Sequence, residues 1–280
     1  MAEKPFDIIK EKLSEIIPKE YINQIPNKWE KIGDILTFIL PKNLDKYKSE
    51  IGETYASVLN CKTVLNDIGG ITGEYRKPNV EKIFGLKNTE TIHKENGIRY
   101  KLDPTKVMFS SGNMDERIRM ANISNNDEVV VDLFAGIGYL SLPIAVYSKP
   151  KRIFAIEKNP ISYNYLVQNI SLNNVVDIVE PIKGDNRKIT PKNVADRVIM
   201  GYFDTQKFLP TAFSCLKNGC GIIHYHDKLS DDEIPEKPLN SIKKLAEEYN
   251  RKANLIQLRE VKSYAPGISH YVFDINIGEK

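Results

Sequence analysis

The ten residues Val129-Val130-Val131-Asp132-Leu133-Phe134-Ala135-Gly136-Ile137-Gly138 constrain this chain more than any other stretch. A run of β-branched residues reads as a buried strand of the kind found in parallel sheets covered on both faces. It ends in an acid, and the glycines beyond let the backbone turn tightly and approach a ligand closely. A helix is expected from Tyr139. About twenty residues past the loop, Ile153-Phe154-Ala155-Ile156-Glu157 is a second apolar strand ending in an acid. A carboxylate at that point is placed to accept hydrogen bonds from ribose hydroxyls. The two strands together predict a nucleoside lying across the carboxyl edge of a parallel sheet.

A dinucleotide fingerprint requires Gly-x-Gly-x-x-Gly, and here Ser141 stands where the third glycine belongs. A ligand without a pyrophosphate needs only a floor of glycines and a nearby acid. Asp132 is expected to hold an ammonium group. The pattern resembles the S-adenosylmethionine-dependent transferases.

Bulk properties set wider bounds. The 280 residues, 41% of them hydrophobic, suffice for one large or two smaller domains with a full core. Lys and Arg number 40 against 37 acids, a net charge of +3 that is compatible with RNA without requiring it. The chain has neither an apolar run long enough to span a bilayer nor a signal-peptide start, so a cytoplasmic location is expected. Cys61, Cys215 and Cys220 form no Cys-x-x-Cys pair and read as reduced structural thiols, with no metal site expected.

Residues 1–100 read as a small α+β domain, and 101–280 as a Rossmann-like catalytic domain. In the first, Phe6 to Ile17 has helical spacing and Pro18 stops it. Ile32 to Ile39 fits a helix or a strand, and Thr63 to Leu65, Ile71 to Tyr75 and Ile98 to Leu102 read as short strands. Asn96-Gly97 is a hairpin turn signal. In the second, Asn159-Pro160 caps and opens a helix running to Asn173-Asn174. Strands are expected at Val175 to Val179, Arg197 to Met200 and Gly221 to Tyr225, with two antiparallel strands around Ala265-Pro266-Gly267.

Several further motifs carry a resemblance. They are Thr91-Ile92-His93-Lys94-Glu95-Asn96-Gly97, Phe109-Ser110 followed by Glu116-Arg117, the Asp132 to Gly138 loop, Asn159-Pro160 and Gly184-Asp185-Asn186. Together they resemble the tRNA (guanine-N1) methyltransferases that act beside the anticodon, over nearly the whole chain. Those enzymes typically read Phe-Ser-Pro-Arg before the Glu-Arg pair, where this chain has Phe109-Ser110-Ser111-Gly112-Asn113. They also read Asn-Leu-Pro after the fourth strand, where this chain has Gly201-Tyr202-Phe203. Both departures are similar to the sister branch, the wybutosine-synthesising aminocarboxypropyltransferases. That branch implies transfer of the 3-amino-3-carboxypropyl group of S-adenosylmethionine to the tricyclic guanosine of phenylalanine tRNA, without a metal.

The resemblance also implies roles. Glu157 binds the ribose, Asp185 and Asn186 read the adenine edge, and Phe134, Gly136 and Gly138 complete the cofactor loop with Asp132. Arg117 holds the ligand carboxylate in a fork geometry, helped by Ser110. Glu116 matches the methyltransferases' proton acceptor. From position alone, Tyr202 and Phe203 at a strand's carboxyl end are placed to stack on a flipped base. Arg76 and Lys77, beside Lys82 and Lys87, are placed to meet phosphates, and the resemblance implies the anticodon loop of phenylalanine tRNA as partner, with the 1–100 domain in contact with tRNA. His224-Tyr225-His226-Asp227 reads as a strand end, not a metal site. A monomer is expected. Two other readings stay open: a tRNA guanine-N1 methyltransferase or a methyltransferase on another substrate, and a non-catalytic RNA-binding module that keeps a nucleoside pocket.

Overall fold

The structure is a computed structural model that describes residues 4–280, and its chain divides into two compact units. The first comprises residues up to Glu95 together with Arg99–Ser111; the second comprises Asn96–Ile98 and Gly112–Lys280.

In the first unit the helix Pro5–Ser14 buries Ile9 and Leu13, and the helix Lys48–Leu59 buries Ile51 and Tyr55 in the same cluster. They cover a sheet of β1 (Glu30–Ile32), β2 (Ile35–Phe38), β3 (Thr63–Thr72) and β4 (Lys77–Gly85), in that order. The Ile32 to Ile39 segment is thus strand, turned by Gly33 at φ +59°. The strand expected at Ile71 to Tyr75 is corrected. β3 ends at Thr72, and Gly73 and Arg76, both at positive φ, turn the chain into β4. β5 (Thr91–Glu95) and β6 (Ile98–Leu102) form a hairpin across Asn96 and Gly97, both left-handed as a two-residue turn demands. The unit runs on to Ser111, past residue 100, because the segment after β6 is tied back to it. Asp103 accepts from Thr89 and Thr105, and the Phe109 ring meets Tyr100 and His93.

The second unit is built on β7 (Val129–Asp132), β8 (Arg152–Glu157), β9 (Val179–Lys183), β10 (Arg197–Met200), β11 (Gly221–Ser230), β12 (Arg251–Ala265) and β13 (Ile268–Glu279). Their order in the sheet is β12-β13-β11-β10-β7-β8-β9. The strands β11, β10, β7, β8 and β9 are parallel, and β13 is antiparallel to both of its neighbours. Val130 and Val131 are fully buried, as a strand flanked on both sides requires. The helix Pro160–Leu172 is capped by Asn159, whose Oδ1 accepts from Ile161 N. Instead of one helix from Tyr139, there is a short turn Ser141–Pro143 and then wider π-type turns over Ile144–Ser148. The strand expected at Val175 to Val179 is also corrected. Asn174 is left-handed and Ile178 N bonds Val175 O, so these β-branched residues form a turn and β9 begins only at Val179. No helix among the described residues is long and apolar enough to cross a membrane.

Candidate active site

Chain direction across the sheet reverses between β7 and β10. From β7 the chain proceeds outward to β8 and β9, then returns to β10 on the other side. Loops leaving the carboxyl ends of such a pair diverge and open a crevice between them. Leu133 N bonds Ile199 O, so the two loops start side by side.

The β7 loop is fixed from beneath by Glu157. Its Oε2 accepts from Gly136 N at 2.7 Å and its Oε1 from Asn159 N at 2.6 Å. Burial raises the carboxyl above its ordinary range, and the two N–H donors work against that rise. A carboxylate held by two backbone donors keeps further lone pairs for hydroxyl ligands. Gly136 is at φ +60° and Gly138 at φ +99°, both unfavourable for L side chains. A Cβ on Gly138 would also lie 2.6 Å from Leu142.

Asp132, expected to hold an ammonium, is engaged within its own loop. It is 1% exposed; Oδ1 accepts from Phe134 N at 3.1 Å and Oδ2 from Ser141 Oγ at 2.6 Å. Burial pushes its carboxyl up to about 6. Its work is to close the loop that carries the glycines. Phe134 leaves this loop and stacks on Tyr202, with ring centroids 5.3 Å apart and planes 16° from parallel. Phe208 meets the edge of Phe134 at 5.0 Å, and the Arg187 guanidinium lies over Phe208 at 5.4 Å.

Asp185 and Asn186 are divided in role. Asp185 caps the short helix Asn186–Ile189 and is gripped by Arg187 through Nε at 2.9 Å and Nη2 at 2.6 Å. Arg187 holds its carboxyl well below the usual range. Asn186, 6% exposed, donates Nδ2 to Leu133 O at 2.8 Å, while its buried Oδ1 has no partner among the described residues. Asn186 thus offers an open acceptor, and the Asp185 carboxylate keeps lone pairs beyond those that Arg187 takes.

Glu116 and Arg117 lie on the helix Met114–Met120, both buried. Glu116, expected as a proton acceptor, is enclosed. Its two oxygens accept from Arg119 at 2.7 and 2.9 Å, and Arg119 in turn pairs with Asp274 at 2.5 Å. Asp274 accepts from His224 Nδ1, whose Nε2 faces Arg197 at 2.8 Å, and Arg197 pairs with Glu128. Burial lowers the His224 pKa, and a neutral ring donating through Nδ1 and accepting at Nε2 fits these partners. A carboxylate this enclosed fixes the helix that carries Arg117. Arg119 and Asp274 stand 155 positions apart, so no local pattern announces the network.

Ser110, Arg76 and Lys77 belong to the first unit. Arg76 sits in the β3–β4 turn with Nε against Met108 Sδ, and Lys77 is exposed at the start of β4. A separate concavity of about 840 Å³ in that unit is lined by Lys31, Lys62, Lys94 and Lys101 among others. Lys62 is engaged there by Asp34 and by Glu90 O. His224 and His226 belong to the buried interior of β11.

A mostly parallel sheet in this strand order, with one antiparallel strand, β13, and an acid–glycine loop after β7, defines the Rossmann-like transferase class. The chain matches the TRM5/TYW2 methyltransferase domain over residues 91–256 and the TYW2 N-terminal domain over residues 9–89, and it belongs to the TRM5/TYW2 family. It is 46% identical to a tRNA(Phe) (4-demethylwyosine(37)-C(7)) aminocarboxypropyltransferase of Pyrococcus horikoshii over 96% of each chain. It is 37% identical to the tRNA (guanine(37)-N(1))-methyltransferase Trm5b of Pyrococcus abyssi, over 93% of this chain and 78% of that one. The crystal structure of Pyrococcus horikoshii TYW2 in complex with MeSAdo superimposes with a TM-score of 0.88 at 42% identity, covering 98% of this chain and all of the other.

Proposed function

We propose that this chain transfers the 3-amino-3-carboxypropyl group of S-adenosylmethionine to the tricyclic wyosine-type guanosine 3′ of the anticodon in phenylalanine tRNA, releasing methylthioadenosine. The observation that carries the reading is the end of β10, where Gly201-Tyr202-Phe203 follows the strand and Tyr202 stacks on Phe134 of the cofactor loop. The greater likeness to the aminocarboxypropyltransferase than to Trm5b supports it.

The residues present suit the cofactor. Glu157, pinned by Gly136 N and Asn159 N, presents acceptors for the ribose hydroxyls, and the orphaned Asn186 Oδ1 suits the exocyclic amine of adenine. When bound, the sulfonium supplies three electrophilic carbons, and the one aligned behind its bond to sulfur is the one attacked. The chain's task is therefore to choose the alignment. Arg117 anchors the methionine carboxylate, so that the γ-carbon and not the methyl faces the base. The attacking ring carbon forms a bond to that carbon, the carbon–sulfur pair returns to sulfur, and the ring proton leaves to water. Glu116, closed by Arg119, takes no part in that proton transfer and keeps the Arg117 helix in place. Tyr202 stacks on the target base, and Arg76 and Lys77 meet phosphates of the RNA. The acting form is a monomer.

Positional labelling tests the reading. With S-adenosylmethionine labelled separately in its methyl and its carboxyl carbon, the carboxyl label is expected in the RNA and the methyl label in the released nucleoside. The reverse distribution identifies methyl transfer and overturns the proposal.

A further inference from the structure

The long hairpin β12–β13 breaks register three times on its β12 side: between Leu255 and Gln257, between Glu260 and Lys262, and between Ser263 and Ala265. Each break leaves one residue without a counterpart on β13, namely Ile256, Val261 and Tyr264. A bulge of this kind bends the strand and re-aims a side chain, and bulges gather beside active sites. The last one aims Tyr264 at Phe203, with ring centroids 5.8 Å apart and planes at 86°. Phe203 also meets the His270 ring at 5.0 Å. His270 is 3% exposed and lies 3.1 Å from the buried His226, so the contact is backed by the interior of the sheet. Tyr264 itself is 45% exposed, and Lys262 Nζ lies 4.8 Å from its ring centroid.

Phe203 directly follows Tyr202 in the chain. Two consecutive rings thus leave the end of β10 into separate aromatic groups: Tyr202 onto Phe134, and Phe203 against Tyr264. Each group carries a cation, Arg187 over Phe208 in the first and Lys262 over Tyr264 in the second. Aromatic faces that take successive bases, with cations for the phosphates between them, are how proteins hold unpaired nucleic acid. A tyrosine serving only to close a hairpin gains nothing from being re-aimed by a bulge onto a ring beside the site and left half in water.

We propose that Tyr264, braced by Phe203, is a second stacking site that takes the unpaired nucleotide flanking the target base, with Lys262 directed to its phosphate. The inference rests on the proposed tRNA reaction and adds a contact outside the cofactor pocket. An alanine loss at a base-stacking aromatic corresponds to roughly 5- to 150-fold in affinity.

The test uses the full chain as wild type, Tyr264→Leu, Tyr264→Phe and Tyr264→Trp. Leucine keeps apolar contact with Phe203 and removes the π-face; phenylalanine and tryptophan keep it. Two phenylalanine tRNA transcripts serve as probes, each with 2-aminopurine at one of the two nucleotides flanking the target position. Stacking on Tyr264 is expected to change the fluorescence of one probe on wild type, Phe and Trp variants, and to fail on Leu. The Leu variant is expected to bind tRNA roughly 5- to 150-fold more weakly, with unaltered affinity for S-adenosylmethionine. Wild-type tRNA affinity in the Leu variant overturns the proposal. So does a Phe variant as weak as Leu, which makes the hydroxyl the active group, or a loss of S-adenosylmethionine affinity, which makes Tyr264 part of the scaffold. The identity of the nucleoside released by wild type reports separately on the transfer reaction, so the two proposals fail independently.

Discussion

Replacing Glu157 by glutamine isolates the ribose anchor with little change of shape. The carboxylate accepts two backbone donors, Gly136 N at 2.7 Å and Asn159 N at 2.6 Å. An amide has a single acceptor oxygen, so one N–H loses its partner and faces an NH₂ group. A hydrogen bond to a charged group contributes about 1.5–3 kcal/mol. In the free protein this loss is offset in part, because burial already disfavours the ionised carboxyl, and the stability cost is expected below that range, ~1 kcal/mol. In the complex a ribose hydroxyl also loses its charged acceptor, which weakens binding by roughly 10- to 150-fold. Titration calorimetry of Glu157→Gln with S-adenosylmethionine and with methylthioadenosine measures this. Both ligands carry the ribose, so both are expected to lose affinity by the same factor. A folded variant within about 3-fold of wild type for both ligands refutes the role of Glu157.

Arg117→Ala is expected to lose much more affinity for S-adenosylmethionine than for methylthioadenosine, which has no carboxylate, and Arg117→Lys to recover only part, because an ammonium lacks the fork; equal losses in calorimetry remove the carboxylate role. Ser141→Ala leaves the buried Asp132 with one donor fewer, and a stability loss of about 1–3 kcal/mol is expected in urea denaturation. For Asp274, burial opposes ionisation, but His224 and Arg119 outweigh it and hold the carboxyl at about 2. A folded-state pKa below that of the unfolded chain means its stabilisation is present above about pH 4 and lost as pH falls toward 2. Urea midpoints between pH 5 and pH 3 are therefore expected to fall less steeply in Asp274→Asn than in wild type.

Local signals in this sequence carried most of the sheet. Val129-Val130-Val131, Asn159-Pro160 and Asn96-Gly97 each dictate a structure through sterics or capping within a few residues, and each forms it. Val175 to Val179 fails because strand propensity reports fitness for a pleated surface. Here a left-handed Asn174 keeps the chain turning until Val179. At the site, the loop and Glu157 are legible from spacing, whereas the depth of a carboxylate is not. Asp132 and Glu116 look alike in sequence to exposed acids, and only tertiary burial commits the one to Ser141 and the other to Arg119. The Glu116–Arg119 spacing of three is a helix-pair signal that could have warned of this. The partner Asp274, far along the chain, could not be read from any window.

Whether the methionine γ-carbon or the methyl faces the base decides which group is transferred. Incubating the protein with S-adenosylmethionine and phenylalanine tRNA that carries the tricyclic base, then weighing the RNA and the released nucleoside in one mass spectrum, answers this directly. Methylthioadenosine together with an RNA heavier by one aminocarboxypropyl group is the expected pair; S-adenosylhomocysteine with an RNA heavier by one methyl group contradicts it.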